Sequence, residues 1–190
     1  LATYDLALKY WRNLIQDNGI YVFKEAFHDV SISGFSLFSS TIPVIYLNNS
    51  LPKSRQIFTL FHELAHILFR VAGIDTSDDS YIDSLELDNK RIEVMCNQFA
   101  GSFLVPDSEL DNMIRNASIN EAFITRMASR FKVSRETILR KLTDRRYFNS
   151  HEYSQFVEKW NEEYKTTQAR RKPGGDYYAT HIQYLGPHYL

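Results

Sequence analysis

A chain of 190 residues that is 44% hydrophobic, with 13 Phe and 12 Tyr, can build one packed domain, or one domain with a small helical appendage, and is not a disordered chain. Its net charge of -1 excludes whole-chain electrostatic attraction to nucleic acid. Its single cysteine, Cys96, excludes an internal disulfide framework.

Residues 3–18 read as an amphipathic helix with Leu6, Leu8, Trp11, Leu14 and Ile15 roughly on one side, stopped at Asn18-Gly19. The start, LATYDLALKYWRN, lacks the basic residues and apolar run of a signal peptide, and no stretch of 18 apolar residues follows anywhere. The expected compartment is therefore the cytoplasm, with no membrane partner. The missing initial Met and the abrupt end at GPHYL mark the chain as an expected piece of a longer protein.

Strands are expected at 20–23, at 30–38 and at 42–47, the last two as a hairpin, with Pro43 placing the final strand at a sheet edge. The period then changes. Ser50 is the expected cap and Pro52 fits a first turn, so a strongly apolar helix is predicted up to Gly73. An acidic loop over 75–88 precedes a second long helix that ends at Pro106. Shorter helices are expected at 107–116, 119–130 and 135–143, the middle one opened by a Ser118-x-x-Glu121 capping box and the last capped by Ser134. Residues 144–175 read as a charged segment ending in a Lys172-Pro173-Gly174-Gly175 turn.

The chemistry is concentrated in His62-Glu63-Leu64-Ala65-His66. Spacing of i, i+4 puts both imidazoles on one helix face, where they can grip one ion, and Glu63 beside them can reach a water as general base. Composition alone yields such a pentapeptide roughly 0.01 times per chain of this length. The neighbouring Phe58, Leu60, Phe61, Ile67 and Phe69 make the helix apolar nearly all round, so buried His and Glu side chains need a partner there, and a metal ion is the natural one.

A catalytic zinc usually takes three protein ligands. Phe69 and Ala72 stand where the extended HExxHxxGxxH pattern would have Gly and His, so the third ligand must come from elsewhere. Glu93, on the border of the next long helix, is the leading candidate, with Glu86 or an aspartate of the acidic loop as the alternative. Asn97, one turn beyond Glu93, is placed to orient Glu93 or a ligating histidine. Zinc is the expected ion, and two imidazoles and a carboxylate also suit manganese and iron, with availability helping to decide. His28, His151, His181 and His188 lie outside any ligand spacing. Tyr177, Tyr178 and His181, after the Gly174-Gly175 turn, are candidate oxyanion donors.

GFSLF (34–38), PVIYLN (43–48), RQIFTLFHELAHIL (55–68) and EVMCNQFAGSFLVP (93–106) together resemble the ImmA/IrrE metallo-endopeptidases, and weaker likeness continues through 130–142 and 174–178. The resemblance implies zinc on His62, His66 and Glu93, and a zinc-dependent endopeptidase that cleaves a cognate helix-turn-helix transcriptional repressor and so derepresses its operon, a form of transcription regulation in stress response. The expected fold class is α+β: a mainly helical zincin-like metallopeptidase domain with a small antiparallel sheet over 1–116, a helix-turn-helix-like helical segment over 117–146, and a charged, truncated C-terminal segment over 147–190. The substrate is expected to lie along the edge strand 42–47.

Between 126 and 146 eight basic residues face two acidic ones, so DNA contact by the helix pair is a weaker expectation. The rival function is a non-catalytic metal-binding transcription regulator, or a toxin-antitoxin component, acting through protein or DNA binding. Sequence leaves the oligomeric state open.

Overall fold

The computed structural model describes residues 2–27, 29, 31–69, 73–76 and 87–169. Within them, seven helices and a four-stranded sheet follow in the order α1 (Tyr4–Asp17), β1 (Tyr21–Glu25), β2 (Ile32–Leu37), β3 (Val44–Asn48), α2 (Lys53–Phe69), β4 (Gly73–Thr76), α3 (Leu87–Leu104), α4 (Asp107–Ile114), α5 (Glu121–Phe131), α6 (Arg135–Asp144) and α7 (Ser150–Ala169). The class is α+β and mainly helical, as the sequence indicated. No helix among the described residues is long and apolar enough to cross a membrane.

The sheet differs from expectation in three ways, the first being a fourth strand, β4, where the end of a helix and the start of an acidic loop were expected. Its order is β1-β3-β2-β4. The β2–β3 hairpin is antiparallel, with Phe35 opposite Tyr46, and β2 pairs antiparallel with β4. β1, however, pairs parallel with β3, Tyr21 opposite Val44, so the sheet is mixed rather than antiparallel. β3 is consequently an interior strand, and the edge position expected of 42–47 falls instead to β1 and β4. Pro43 explains the difference. It lies one residue before the ladder, where its missing N–H costs nothing, and its carbonyl accepts from Tyr21 N at 2.9 Å.

Asn48 closes the end of β3. It is fully buried; its Oδ1 accepts from Ser50 N at 3.0 Å, and its Nδ2 donates to Ile32 O at 2.8 Å. Ser50 is therefore held by Asn48 and does not cap α2. That helix begins after Pro52, whose carbonyl accepts from Gln56 N at 3.0 Å. The buried Gln56 amide donates to Leu51 O at 2.7 Å and ties the incoming turn to the helix. α2 ends at Phe69, and Gly73 opens β4 rather than closing the helix.

α2 packs against β2, β3 and β4 of the sheet, and both α1 and α3 pack against α2. Gly34 of β2 permits the approach. A Cβ there would lie 2.6 Å from Thr59 Cγ2 of α2 and 2.6 Å from the Tyr46 carbonyl oxygen. Phe61 locks the three helices together, with ring centroids 5.2 Å from Trp11 of α1 and 4.5 Å from Phe103 of α3. Where β2 bulges near Ser33, the Ser33 hydroxyl accepts from Arg55 Nε of α2 at 3.0 Å.

The later helices join the same core. Phe123, Ile124, Ile138, Leu139 and Leu142 are buried in one apolar cluster with Ile57 and Phe61. The Tyr4 hydroxyl of α1 donates to Ala128 O at 3.1 Å and Val133 O at 3.2 Å. α5 is capped by Asn120, whose side chain accepts from Phe123 N at 3.0 Å, so the expected Ser118 capping box does not form. Ser134 caps α6 as expected, accepting from Thr137 N at 3.1 Å. α7 was not anticipated. Tyr153, Phe156, Val157 and Trp160 form the stripe by which this otherwise charged helix packs onto the core.

Candidate metal centre

Two turns of α2 and one of α3 make the site. Helical spacing stacks His62 and His66 on one face of α2, and both side chains are fully buried. α3 runs alongside and brings in Glu93, whose side chain is 13% exposed, in keeping with its border position on that helix. His62 Nε2 lies 3.1 Å from Glu93 Oε2, His66 Nε2 lies 3.3 Å from Glu93 Oε1, and the two Nε2 atoms are 3.1 Å apart. One ligand-type atom from each residue falls within 4.8 Å of the others, the only such trio of His, Cys, Asp or Glu among the described residues.

The arrangement can hold a cation. The His62 Nδ1 edge faces Asn97 Oδ1 at 2.9 Å, so Nδ1 carries the proton and donates, leaving the Nε2 lone pair directed at the trio. A second imidazole nitrogen and a carboxylate converge on the same point. Electron-rich atoms this close repel unless positive charge lies between them, either a proton on an imidazole or a metal ion. Two nitrogens and one carboxylate oxygen, with Asn97 fixing a ligand from behind, are the donor set of a three-ligand catalytic metal site. The residues present therefore fit the ion that the sequence implied.

Charge in the trio is visible at Glu93. Burial pushes its carboxyl up, but where no metal ion is bound and protons on the His62 and His66 nitrogens supply the positive charge, hydrogen bonding to those imidazoles and their charge outweigh burial and hold it at about 2. It is thus an anion at any physiological pH. His66 Nδ1 is buried and makes no hydrogen bond among the described residues.

Glu63 follows His62 on the same helix and is fully buried, yet it is not part of the converging trio. Its position suits a separate role beside the ion. Of the remaining histidines, His151 sits on the exposed face of α7 beside Gln155, with nitrogens 3.1 Å apart. Glu86, the acidic loop over 77–86, the Gly174-Gly175 turn, Tyr177, Tyr178 and His181 lie outside the described residues, as do His28 and His188. Sequence reasoning left the target of Asn97 open between Glu93 and a histidine; the structure places it on His62.

The stretch of chain that holds these residues matches a known protein family. The family described as the IrrE N-terminal-like domain (Peptidase_M78) matches residues 15–143. A radiation response metalloprotease IrrE of Deinococcus deserti is 31% identical over 104 residues, which are 54% of this chain and 36% of that protein. Its counterpart in Deinococcus radiodurans is 29% identical over 103 residues, 53% of this chain and 31% of that protein. The chain thus spans about a third of the length of the curated relatives it matches. Among solved structures, a Mycobacterium tuberculosis transcriptional regulator shares the fold, with a TM-score of 0.52 at 19% identity, over 75% of this chain and 42% of that one.

Proposed function

The chain belongs to the IrrE N-terminal-like domain family, and from that premise we propose that it is a zinc-dependent endopeptidase whose substrate is a helix-turn-helix transcriptional repressor, cut so that the operon it silences is released. The observation that carries this reading is the convergence of the His62, His66 and Glu93 ligand atoms with Asn97 holding the far edge of His62. An ion bound there would polarise a scissile carbonyl and lower the pKa of water to near neutrality.

The chain's own groups supply the rest. Glu63 takes a proton from the attacking water and passes it to the departing amine. Its complete burial keeps bulk water from competing for that proton. A substrate strand cannot add to β3, which is paired on both sides. Among the described residues β4 is an edge strand and follows the metal-binding helix, and its outer edge is the proposed place for an extended substrate. The two Deinococcus relatives are named as radiation response metalloproteases. By that likeness a stress signal is the proposed trigger, and a repressor substrate sets the place of action in the cytoplasm.

Direct DNA reading by α5 and α6 is not part of this proposal. Arg135 pairs with Glu163 at 2.7 Å, Lys141 with Asp107 at 2.8 Å, Arg145 with Asp107 and Asp111 at 2.7 and 2.8 Å, and Arg140 with Glu136 at 3.4 Å. Much of the basic character of α6 is spent inside the protein.

The test is incubation of the zinc-loaded protein with purified helix-turn-helix repressors of its host, followed by mass spectrometry of the products. One repressor cut at a defined bond by the wild type, and left whole by Glu63→Gln, is the expected result. Equal cleavage by Glu63→Gln would refute the mechanism. A complex that forms without product would favour regulation by binding alone.

A further inference from the structure

Behind the metal centre lies a second feature that the peptidase chemistry does not use. A cleft of about 1040 Å³ opens between α2 and α3 on one side and α6 and α7 on the other. Arg55 and Phe58 of α2, and Val94, Asn97 and Gly101 of α3, form its inner wall. These positions repeat at three- and four-residue intervals, so each set occupies one helix face. Asn97 is a shared wall: it borders the cleft and also accepts the proton of His62 Nδ1. The trio of ligand atoms lies on the opposite edge of the His62 ring. The cleft therefore reaches the rear of the metal layer and not the ion's own face.

Gly101 is the telling residue. A glycine in an α-helix is less stable than an alanine, so it needs a reason. Gly101 has no positive φ. Packing among the described residues does not require it either, because an added Cβ would meet nothing there nearer than Lys141 Cε at 3.9 Å. This contrasts with Gly34, where a Cβ collides with helix and strand. What the missing side chain does is leave the cleft open.

The lining indicates what enters. Gln98, Ser102, Ser134 and Asn161 offer neutral amides and hydroxyls, and Val94 and Val157 offer apolar surface between them. Three of the four basic residues of the cleft face acids, Lys141 and Arg145 toward Asp107 and Arg140 toward Glu136, and the fourth, Arg55, donates to the Ser33 hydroxyl. A polyanion would find little net positive charge here, whereas an extended polypeptide would find partners for its main-chain N–H and C=O groups and seats for its side chains.

We propose that this cleft is an exosite that binds an extended polypeptide segment, with the bound main chain passing over Gly101 and touching Asn97. Identifying that segment as part of the substrate, remote from the bond cut, rests on the peptidase reading; polypeptide binding in the cleft does not. Occupancy bears on the metal centre through Asn97, the side chain that holds the tautomer of His62.

The test uses zinc-loaded Glu63→Gln protein, so that nothing bound is consumed. Random peptides of about twelve residues displayed on phage are selected on it, and the winners are made with a fluorescent label for anisotropy titration. Gly101→Phe fills the cleft, and Ser102→Trp, at an exposed position of the same wall, does so from a second residue. Zinc content and thermal melting verify that each variant is folded and loaded. Expected is a rise in Kd of about tenfold or more in both filled variants. Selection of no peptide, or Kd values within about threefold of the parent in a folded, loaded variant, would overturn the proposal. Cleft-dependent peptide binding by a wild type that cuts no repressor would retain the exosite and refute the peptidase reading alone.

Discussion

Gly34→Ala is a perturbation of one carbon whose consequence is readable from the packing. The new Cβ would start 2.6 Å from Thr59 Cγ2 and 2.6 Å from the Tyr46 carbonyl oxygen, against 3.4 Å for ordinary contact. Relief requires β2 and α2 to separate by about 0.8 Å and Tyr46 to shift from its ladder position opposite Phe35. One of the two obstacles is main chain, so rotamer change cannot absorb the overlap. Overpacking of this kind costs about 1–3 kcal/mol, and the main-chain contact places Gly34→Ala at the upper end. For a chain of this length that lowers Tm by roughly 5–10 °C. The displacement also reaches the site, because Thr59 is one turn before His62 and Glu63 on the helix that must move. Zinc affinity, measured by competition with a chromophoric chelator, should fall together with Tm. Thr59→Ala in the same background removes one obstacle and should recover part of the loss. Melting of Gly34→Ala within about 1 °C of the wild type would refute the close-packing account of α2.

Asn97→Ala removes the acceptor of His62 Nδ1 and should weaken zinc binding about 10–100-fold, while Asn97→Asp, which keeps an acceptor, should stay near wild type; chelator competition measures both, and equal affinity of Asn97→Ala and wild type would show that packing alone orients His62. Lys24 supplies a pH dependence unrelated to the metal. Burial, then Lys53 and Arg12, lowers its ammonium to about 8, with Asp5 opposing. The unfolded chain therefore binds more protons between pH 8 and 10.5, and stability rises with pH across that window. Lys24→Met should be more stable than wild type below pH 8, by on the order of 1 kcal/mol after allowance for partial solvation, with the difference closing toward pH 10.5. Urea titrations at several pH values check this, and a constant difference across the window would contradict it.

The helices that carry the site were legible because their signals are local. The i, i+4 histidines, the apolar surround of α2 and the border position of Glu93 on α3 are all short-range patterns, and the structure brings the three side chains together. What the sequence hid is non-local. Parallel pairing of β1 with β3 depends on where two strands meet after a crossover, which no periodicity records. Pro43 pointed to an edge strand only because its distance from the ladder, one residue, cannot be seen in sequence. The competition between Ser118 and Asn120 as cap is settled by tertiary packing, since both residues are good caps and they stand two positions apart. α7 was obscured by its charge: its apolar stripe is narrow and has meaning only against the α5–α6 pair. That Gly34 is required and Gly101 is not emerges only when α2 and α6 are in place around them.

The most direct test of the central claim is zinc stoichiometry and affinity of the folded wild type beside Glu93→Ala, measured by mass spectrometry after dialysis in zinc-containing and then chelator-free buffer. The account predicts about one zinc per wild-type chain and a loss of affinity of at least tenfold, about 1.4 kcal/mol, in Glu93→Ala. A folded wild type that retains no zinc, or a Glu93→Ala variant that holds it as tightly as the wild type, would contradict the three-ligand centre on which the proposed function stands.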